Sequence, residues 1–205
     1  MFRNLPYQPL LLRLLHGING CLIIGSIITG FWVYNTFDGR WGKLPLPNLS
    51  SIQDIHGTIA VSFFLIIPAF ALYSFHPGEK RLLQPDSLKN LTNLNQKIGW
   101  YSWHRLVNTL MLLAAILAAF SGRTMKEEWL PNGELNHPWY YLHLFAWLVM
   151  VLCLVLHLLM VAKVGGIPLI LSMFNWQVRP QDSPRDWKAN TLNWLKQQKS
   201  KLTQK

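Results

Sequence analysis

Charge is scarce in this sequence. Only 14% of its 205 residues are Asp, Glu, Lys or Arg, against about 25% in soluble domains. With 51% hydrophobic residues, that density cannot cover a water-facing surface, which excludes a soluble globular protein. Acid is scarcer than base, at nine Asp and Glu to 19 Lys and Arg, and no carboxylate sits in the middle of an apolar run. The two cysteines, Cys21 and Cys153, stand singly inside such runs and read as packing residues. The chain carries no dinucleotide fingerprint, no P-loop and no nucleophile motif, so substrate chemistry of those kinds must lie elsewhere. Neither an internal repeat nor a second globular domain is evident, and the length fits one domain.

What the chain has in abundance is apolar sequence. A helical crossing of the hydrocarbon takes about 20 residues, and four runs qualify, at about residues 10–34, 52–75, 99–121 and 139–162. Aromatics gather at their ends (Trp32, Tyr34, Tyr73, Trp100, Tyr101, Trp103, Trp139, Tyr140 and Tyr141), where amphipathic rings meet headgroups. The first run is too long for a signal-peptide core and no small-residue cleavage site follows it, so it is expected to be retained. The expected fold is therefore all-α, an integral membrane four-helix bundle.

The net charge of +10 invites a nucleic-acid reading, but its distribution opposes one. With an even number of spans both termini share a side. That side holds Arg3, Arg13, Lys80, Arg81, Lys89, Lys97, Arg105 and eight basic residues from Lys163 to Lys205, fifteen in all; the other holds only Arg40, Lys43, Arg123 and Lys126. This positive-inside asymmetry predicts cytoplasmic termini. The basic tail reads as a topology signal and a contact for anionic lipid, with no nucleic acid involved.

The connections are polar. Residues 35–51 form an external Gly/Pro/Asn loop, residues 76–97 a cytoplasmic stretch with a short surface helix after Pro85, and residues 123–138 a mildly acidic external loop. Residues 165–176 are apolar but too short to cross, as expected of an interfacial segment. The tail from Gln177 is charged and partly helical. The organisation expected is a four-span domain over 1–165, then an interfacial and basic cytoplasmic segment over 166–205.

The chemistry sits in histidines. HLFAWLVMVLCLVLH places His143 and His157 at the ends of thirteen apolar residues. Fourteen helical steps make about 1,400°, close to four turns, so both rings leave nearly one face, about 21 Å apart along the axis. His143 lies near the outer end of its span and His157 near the inner end. His56, near the outer end of the second span, is level with His143; His16, near the inner end of the first, is level with His157. One such buried residue is equally well a histidine bonded to a neighbouring backbone carbonyl. Two opposed pairs at two depths fit a flat cofactor clamped by one imidazole on each face.

Zinc would need two further ligands per layer. Haem brings four equatorial nitrogens of its own, so two histidines complete its iron. No C-x-x-C-H sequence offers covalent attachment. Two b-type haems stacked across the bilayer follow. Gly17, Gly20, Gly25, Gly30 and Gly57 leave room near the ligands, or serve ordinary tight helix packing.

The stretch HGINGCLIIGSIITGFWVY from His16, the IHG around His56 and the H-x13-H of the last span resemble the bacterial cytochrome b561 and nickel-hydrogenase cytochrome b family, with histidine spacing close to formate dehydrogenase gamma subunits. The resemblance runs from about residue 10 to residue 165. It implies that the first and fourth spans share the inner haem and the second and fourth the outer one, pairing His16 with His157 and His56 with His143.

Other residues are more open. His104 shares the layer of His16 and His157, and is expected to be a non-ligand near the inner haem propionates or a quinone, with replacement of His16 as the alternative. Asn108 offers an amide to a quinone carbonyl or an interhelical hydrogen bond. Arg13 and Arg105 are candidates to neutralise propionates, or snorkel to headgroups. His76 and His137 precede prolines and read as solvated turn residues.

The expected function is electron transfer between a quinone pool and a redox partner, either as a lone quinone-linked carrier or as the anchor of a larger oxidoreductase whose iron–sulfur subunit docks on the external loops. The membrane is a bacterial cytoplasmic (inner) membrane, or a thylakoid in a photosynthetic source. Rival readings are a haem-free scaffold or assembly protein, and a proton or metal transporter with a histidine relay.

Overall fold

The structure is a computed structural model that describes residues 8–175, 177–179 and 182–203. Arg3, Trp176 and Lys205, which entered the charge count and the interfacial segment, lie outside the described residues. Among the described residues the chain is all-helical. Four helices are long and apolar enough to cross a membrane: α1 (Leu10–Phe37), α2 (Ile52–Phe75), α4 (Lys97–Thr124) and α5 (Pro138–Val164). A short α3 (Pro85–Asn90) lies in the second connection, as the sequence predicts, and α6 (Gly166–Phe174) and α7 (Pro184–Thr203) follow the last span.

The spans outrun their apolar stretches. α1 continues to Phe37 and α4 covers Lys97–Thr124, because hydropathy marks hydrocarbon depth whereas a helix ends where its backbone hydrogen bonds end. Hydroxyls stay with the helix there: Thr36 donates to Trp32 O at 2.9 Å and Thr124 to Ser121 O at 2.7 Å. α5 opens on Pro138, whose missing N–H costs nothing at a first-turn position. It stops at Gly165, and Gly166, at φ +60°, turns the chain into α6. The nine residues of α6 reach only about 13.5 Å, too short to cross, as expected, with Ile167 and Phe174 exposed.

α1 lies along α2 and α4 along α5, so the bundle consists of two hairpins facing each other. Outward faces are apolar: Leu65 is 71% exposed and Leu158 59%, tolerable only where the solvent is hydrocarbon and every backbone group is bonded within its helix. Between the hairpins Phe63, Ile67, Leu112, Ala114, Ala115 and Met150 form a central core. Met150 is seven residues from both His143 and His157, so this core separates the two histidine levels by about 10 Å on each side.

Two of the three connections between spans are pinned as follows. At the end carrying the α1–α2 loop, Asn35 grips Leu44 through its amide oxygen and nitrogen (2.6 and 3.1 Å). The nearly inaccessible Asp38 carboxylate takes Arg40 Nε at 2.7 Å and Tyr140 OH at 2.8 Å. The Asp38 carboxylate holds the Arg40 guanidinium above its ordinary pKa. At the terminal end, the α2–α4 connection docks on α4 through Leu83 N to Thr109 Oγ1 (2.8 Å), Asn108 Nδ2 to Arg81 O (3.1 Å) and Arg105 Nε to Lys80 O (3.0 Å).

Candidate functional site

The buried histidines meet in two layers. On the loop side, His56 of α2 and His143 of α5 face each other with ring centroids 6.2 Å apart and planes at 75°. On the terminal side, His16 of α1 faces His157 of α5 at 6.1 Å and 33°. Two imidazoles holding one metal ion end-on through Nε2, at about 2.0 Å each, would have centroids about 6.3 Å apart. Both centroid separations lie close to that figure. Among the described residues no three His, Cys, Asp or Glu side chains converge to hold a bare metal ion.

The Nδ1 atoms explain which nitrogen is available. Thr29 gives its proton to Gly25 O (2.7 Å), so its oxygen is left to accept from His56 Nδ1 at 3.0 Å. Ser121 likewise donates to Leu117 O (2.7 Å) and lies 3.1 Å from His143 Nδ1, which is also 3.1 Å from Ala118 O. Asn108 donates through Nδ2 to Arg81 O, which turns its amide oxygen toward His157 Nδ1 at 2.8 Å. On all three histidines these acceptors call for a proton on Nδ1 and leave Nε2 with its lone pair, the tautomer a metal-ligating histidine uses when its other ring nitrogen donates to a second group. His16 has no hydrogen bond among the described residues and packs edge-on to Phe70 at 6.5 Å.

The loop-side pair borders a cavity of about 1540 Å3 lined by all four spans. Two glycines shape it. A Cβ on Gly30 would come 3.1 Å from His56 Cε1, and one on Gly122 would come 3.0 Å from His143 Cε1. Gly25 meets only Ile59 at ordinary contact, and a Cβ on Gly17, Gly20 or Gly57 would meet nothing within 4 Å. Trp147, bonded to Ile27 O at 3.1 Å, stacks on Phe31 along the same wall.

The terminal-side layer holds a third imidazole. His104 lies 5.2 Å from His157, planes at 43°, and its Nε2 is buried without a hydrogen bond. That spacing is about 1 Å short of what a shared iron needs. Arg13, one turn before His16, is only 4% exposed. One of its guanidinium nitrogens donates to Gln177 O at 2.7 Å, while Nε and NH1 are buried and unbonded. Arg105 is held by Lys80 O, Ser87 and Asp86 and lies over the Tyr101 ring. His137 stacks on Trp129 at 3.8 Å and pairs with Glu134 at 3.5 Å; His76 lies 5.9 Å from Trp194.

Sequence reasoning overlooked Thr29, Ser121, Gly122 and Trp147. Hydroxyls and small residues are common in spans, and only the rotation of one helix against another singles these out. The model of a family described as prokaryotic cytochrome b561 matches residues 7–176. No curated protein and no solved structure matches the chain.

Proposed function

The chain belongs to the prokaryotic cytochrome b561 family, and from that premise we propose that it carries two b-type haems, one in each histidine layer. It is an integral membrane electron-transfer protein that binds haem b. Haem, when bound, supplies reversible one-electron chemistry. His56 and His143 hold the iron of one group, His16 and His157 that of the other. The observation that carries this reading is the pair of centroid distances, 6.2 and 6.1 Å, at two levels of one bundle.

The chain's own residues do the rest. Apolar walls exclude water from both layers, and the Nδ1 acceptors hold the rings with Nε2 inward. Arg13 is buried, donates to Gln177 O and feels the Asp182 carboxylate, and its two unbonded donors suit a propionate carboxylate. Arg105, already engaged in the connection, is a weaker propionate contact. His104 and Asn108 flank His157 on the side where a quinone would exchange electrons. The termini lie in the cytoplasm, the span domain covers 1–165, and 166–205 rests on the cytoplasmic face of a bacterial inner membrane. The His16 layer is then the inner one and the His56 layer the outer. Electrons pass between the quinone pool and a redox partner, and an iron–sulfur subunit on the external loops is one candidate.

Pyridine haemochrome analysis of the purified chain tests the reading. Two haems b per chain are expected. A colourless protein after haem-replete expression overturns it and favours a scaffold or relay role; a single haem per chain overturns the assignment of one haem to each layer.

A further inference from the structure

The two layers differ in what stands behind their histidines. In the loop-side layer the Nδ1 acceptors are closed within the span helices. Thr29 returns its proton to Gly25 of α1, and Ser121 returns its proton to Leu117 of α4. Among the described residues, nothing outside the bundle enters either set. In the terminal-side layer the acceptor is Asn108, and its other amide group is spent on Arg81 O, a backbone carbonyl of the α2–α4 connection. His157 is thus joined by two consecutive hydrogen bonds, 2.8 and 3.1 Å, to a segment at the membrane surface.

We propose that Asn108 is a positioning residue that fixes the tautomer of His157 and sets the potential of the inner haem, and that it ties this potential to the seating of the connection at Arg81. The inference rests on the two-haem reading and goes beyond it. An amide flipped end for end would offer His157 a donor where it needs an acceptor and would place two carbonyl oxygens together at Arg81. The Arg81 carbonyl therefore selects the orientation. The connection itself is seated by Thr109 on Leu83 N and by Arg105 on Lys80 O, so a single turn of α4, from Arg105 to Thr109, holds it at a fixed height. A stronger acceptor at Nδ1 makes an imidazole a better electron donor to its metal, because hydrogen bonding there raises ligand basicity. Better donation favours ferric iron and lowers the potential. Asn108 in this role acts through His157 and touches no substrate.

The test is a redox titration of the full-length chain in detergent, followed at the haem alpha band, with electron paramagnetic resonance of the ferric state, for wild type, Asn108→Asp and Asn108→Leu. Asn108→Asp keeps an acceptor oxygen in place and makes it anionic, so the inner wave should move down. Asn108→Leu removes the acceptor, so the inner wave should move up; the outer wave should hold still in both. A matching change in only one of the two low-spin ferric signals supports the assignment. A single wave in the wild type overturns the two-haem reading and this assignment with it. Two waves that stay in place in both variants overturn this assignment alone, even if the response to quinol changes. Loss of the inner haem from Asn108→Asp counts against it as well.

Discussion

Gly122 lies against the face of His143: a Cβ there would sit 3.0 Å from Cε1 and 3.3 Å from Nδ1 of the ring. The contact joins the last turns of α4 to the first turns of α5 and leaves the imidazole one position. Replacing a helical glycine with alanine ordinarily gains up to about 1 kcal/mol, and here the tight contact should consume that gain. Valine adds bulk that the ring cannot avoid, at about 1–3 kcal/mol. Gly122→Val should therefore lose the outer haem while Gly122→Ala keeps it weakly. Haem per chain by pyridine haemochrome decides this, and loss of the inner haem instead would contradict the layer assignment.

The ligands themselves give a cleaner contrast. His143→Ala should remove the outer haem and spare the inner one, and His157→Ala should do the reverse. Each variant should keep about half the alpha-band absorbance and one of two potentiometric waves. Both haems missing from either variant, with the helical content intact by circular dichroism, would refute two separate layers.

The spans and the depth of each histidine were legible because both are properties of a single line of residues. Length of an apolar run gives a crossing, and distance from its end gives a level. The facing of His16 with His157 and His56 with His143 in the structure follows from those levels once α1, α2 and α5 are packed together. What escaped were contacts set by helix rotation. Thr29 and Ser121 look like ordinary span hydroxyls until His56 and His143 turn their Nδ1 atoms onto them. For Asn108 the interhelical hydrogen bond was among the readings and is what the structure holds, from α4 to His157 of α5; its second bond, to Arg81 O, was not. That meeting depends on a connection whose path over α4 no periodicity encodes.

The loop that joins α1 to α2 offers a test of stability apart from redox function. Asp38 is nearly inaccessible and is met by Tyr140 OH at 2.8 Å and Arg40 Nε at 2.7 Å. Tyr140→Phe removes one donor from a buried carboxylate, where a hydrogen bond to charge contributes about 1.5–3 kcal/mol. Thermal unfolding should shift down accordingly, while both haems remain. An unchanged melting temperature would mean that Arg40 alone satisfies the carboxylate.

Arg13 should matter to the inner haem only. Its Nε and NH1 are buried and unbonded, so a carboxylate brought near it would gain two charge-assisted hydrogen bonds. Arg13→Gln keeps a polar side chain and deletes the charge. Losing a nearby cation favours ferric iron, so the inner potential should fall by roughly 60 mV, a tenfold change for one electron. Arg13→Lys should restore most of it. A shift of the outer wave, or none at all, would return Arg13 to a purely structural contact with Gln177.

His104 is the residue on which the inner layer's assignment turns. Its ring is nearer to His157 than that of His16 is, 5.2 Å against 6.1 Å. Proximity alone would promote it to a ligand, but a shared iron needs the longer spacing of about 6.3 Å. Its unbonded Nε2 instead suits a transient partner such as a quinone oxygen or a propionate. His104→Ala should keep both haems and change either the inner potential or the rate of reduction by quinol. His16→Ala should lose the inner haem. Reversal of these two outcomes, read from haem content and the ferric low-spin signals, would exchange the roles of the two residues and leave His157 as the common ligand.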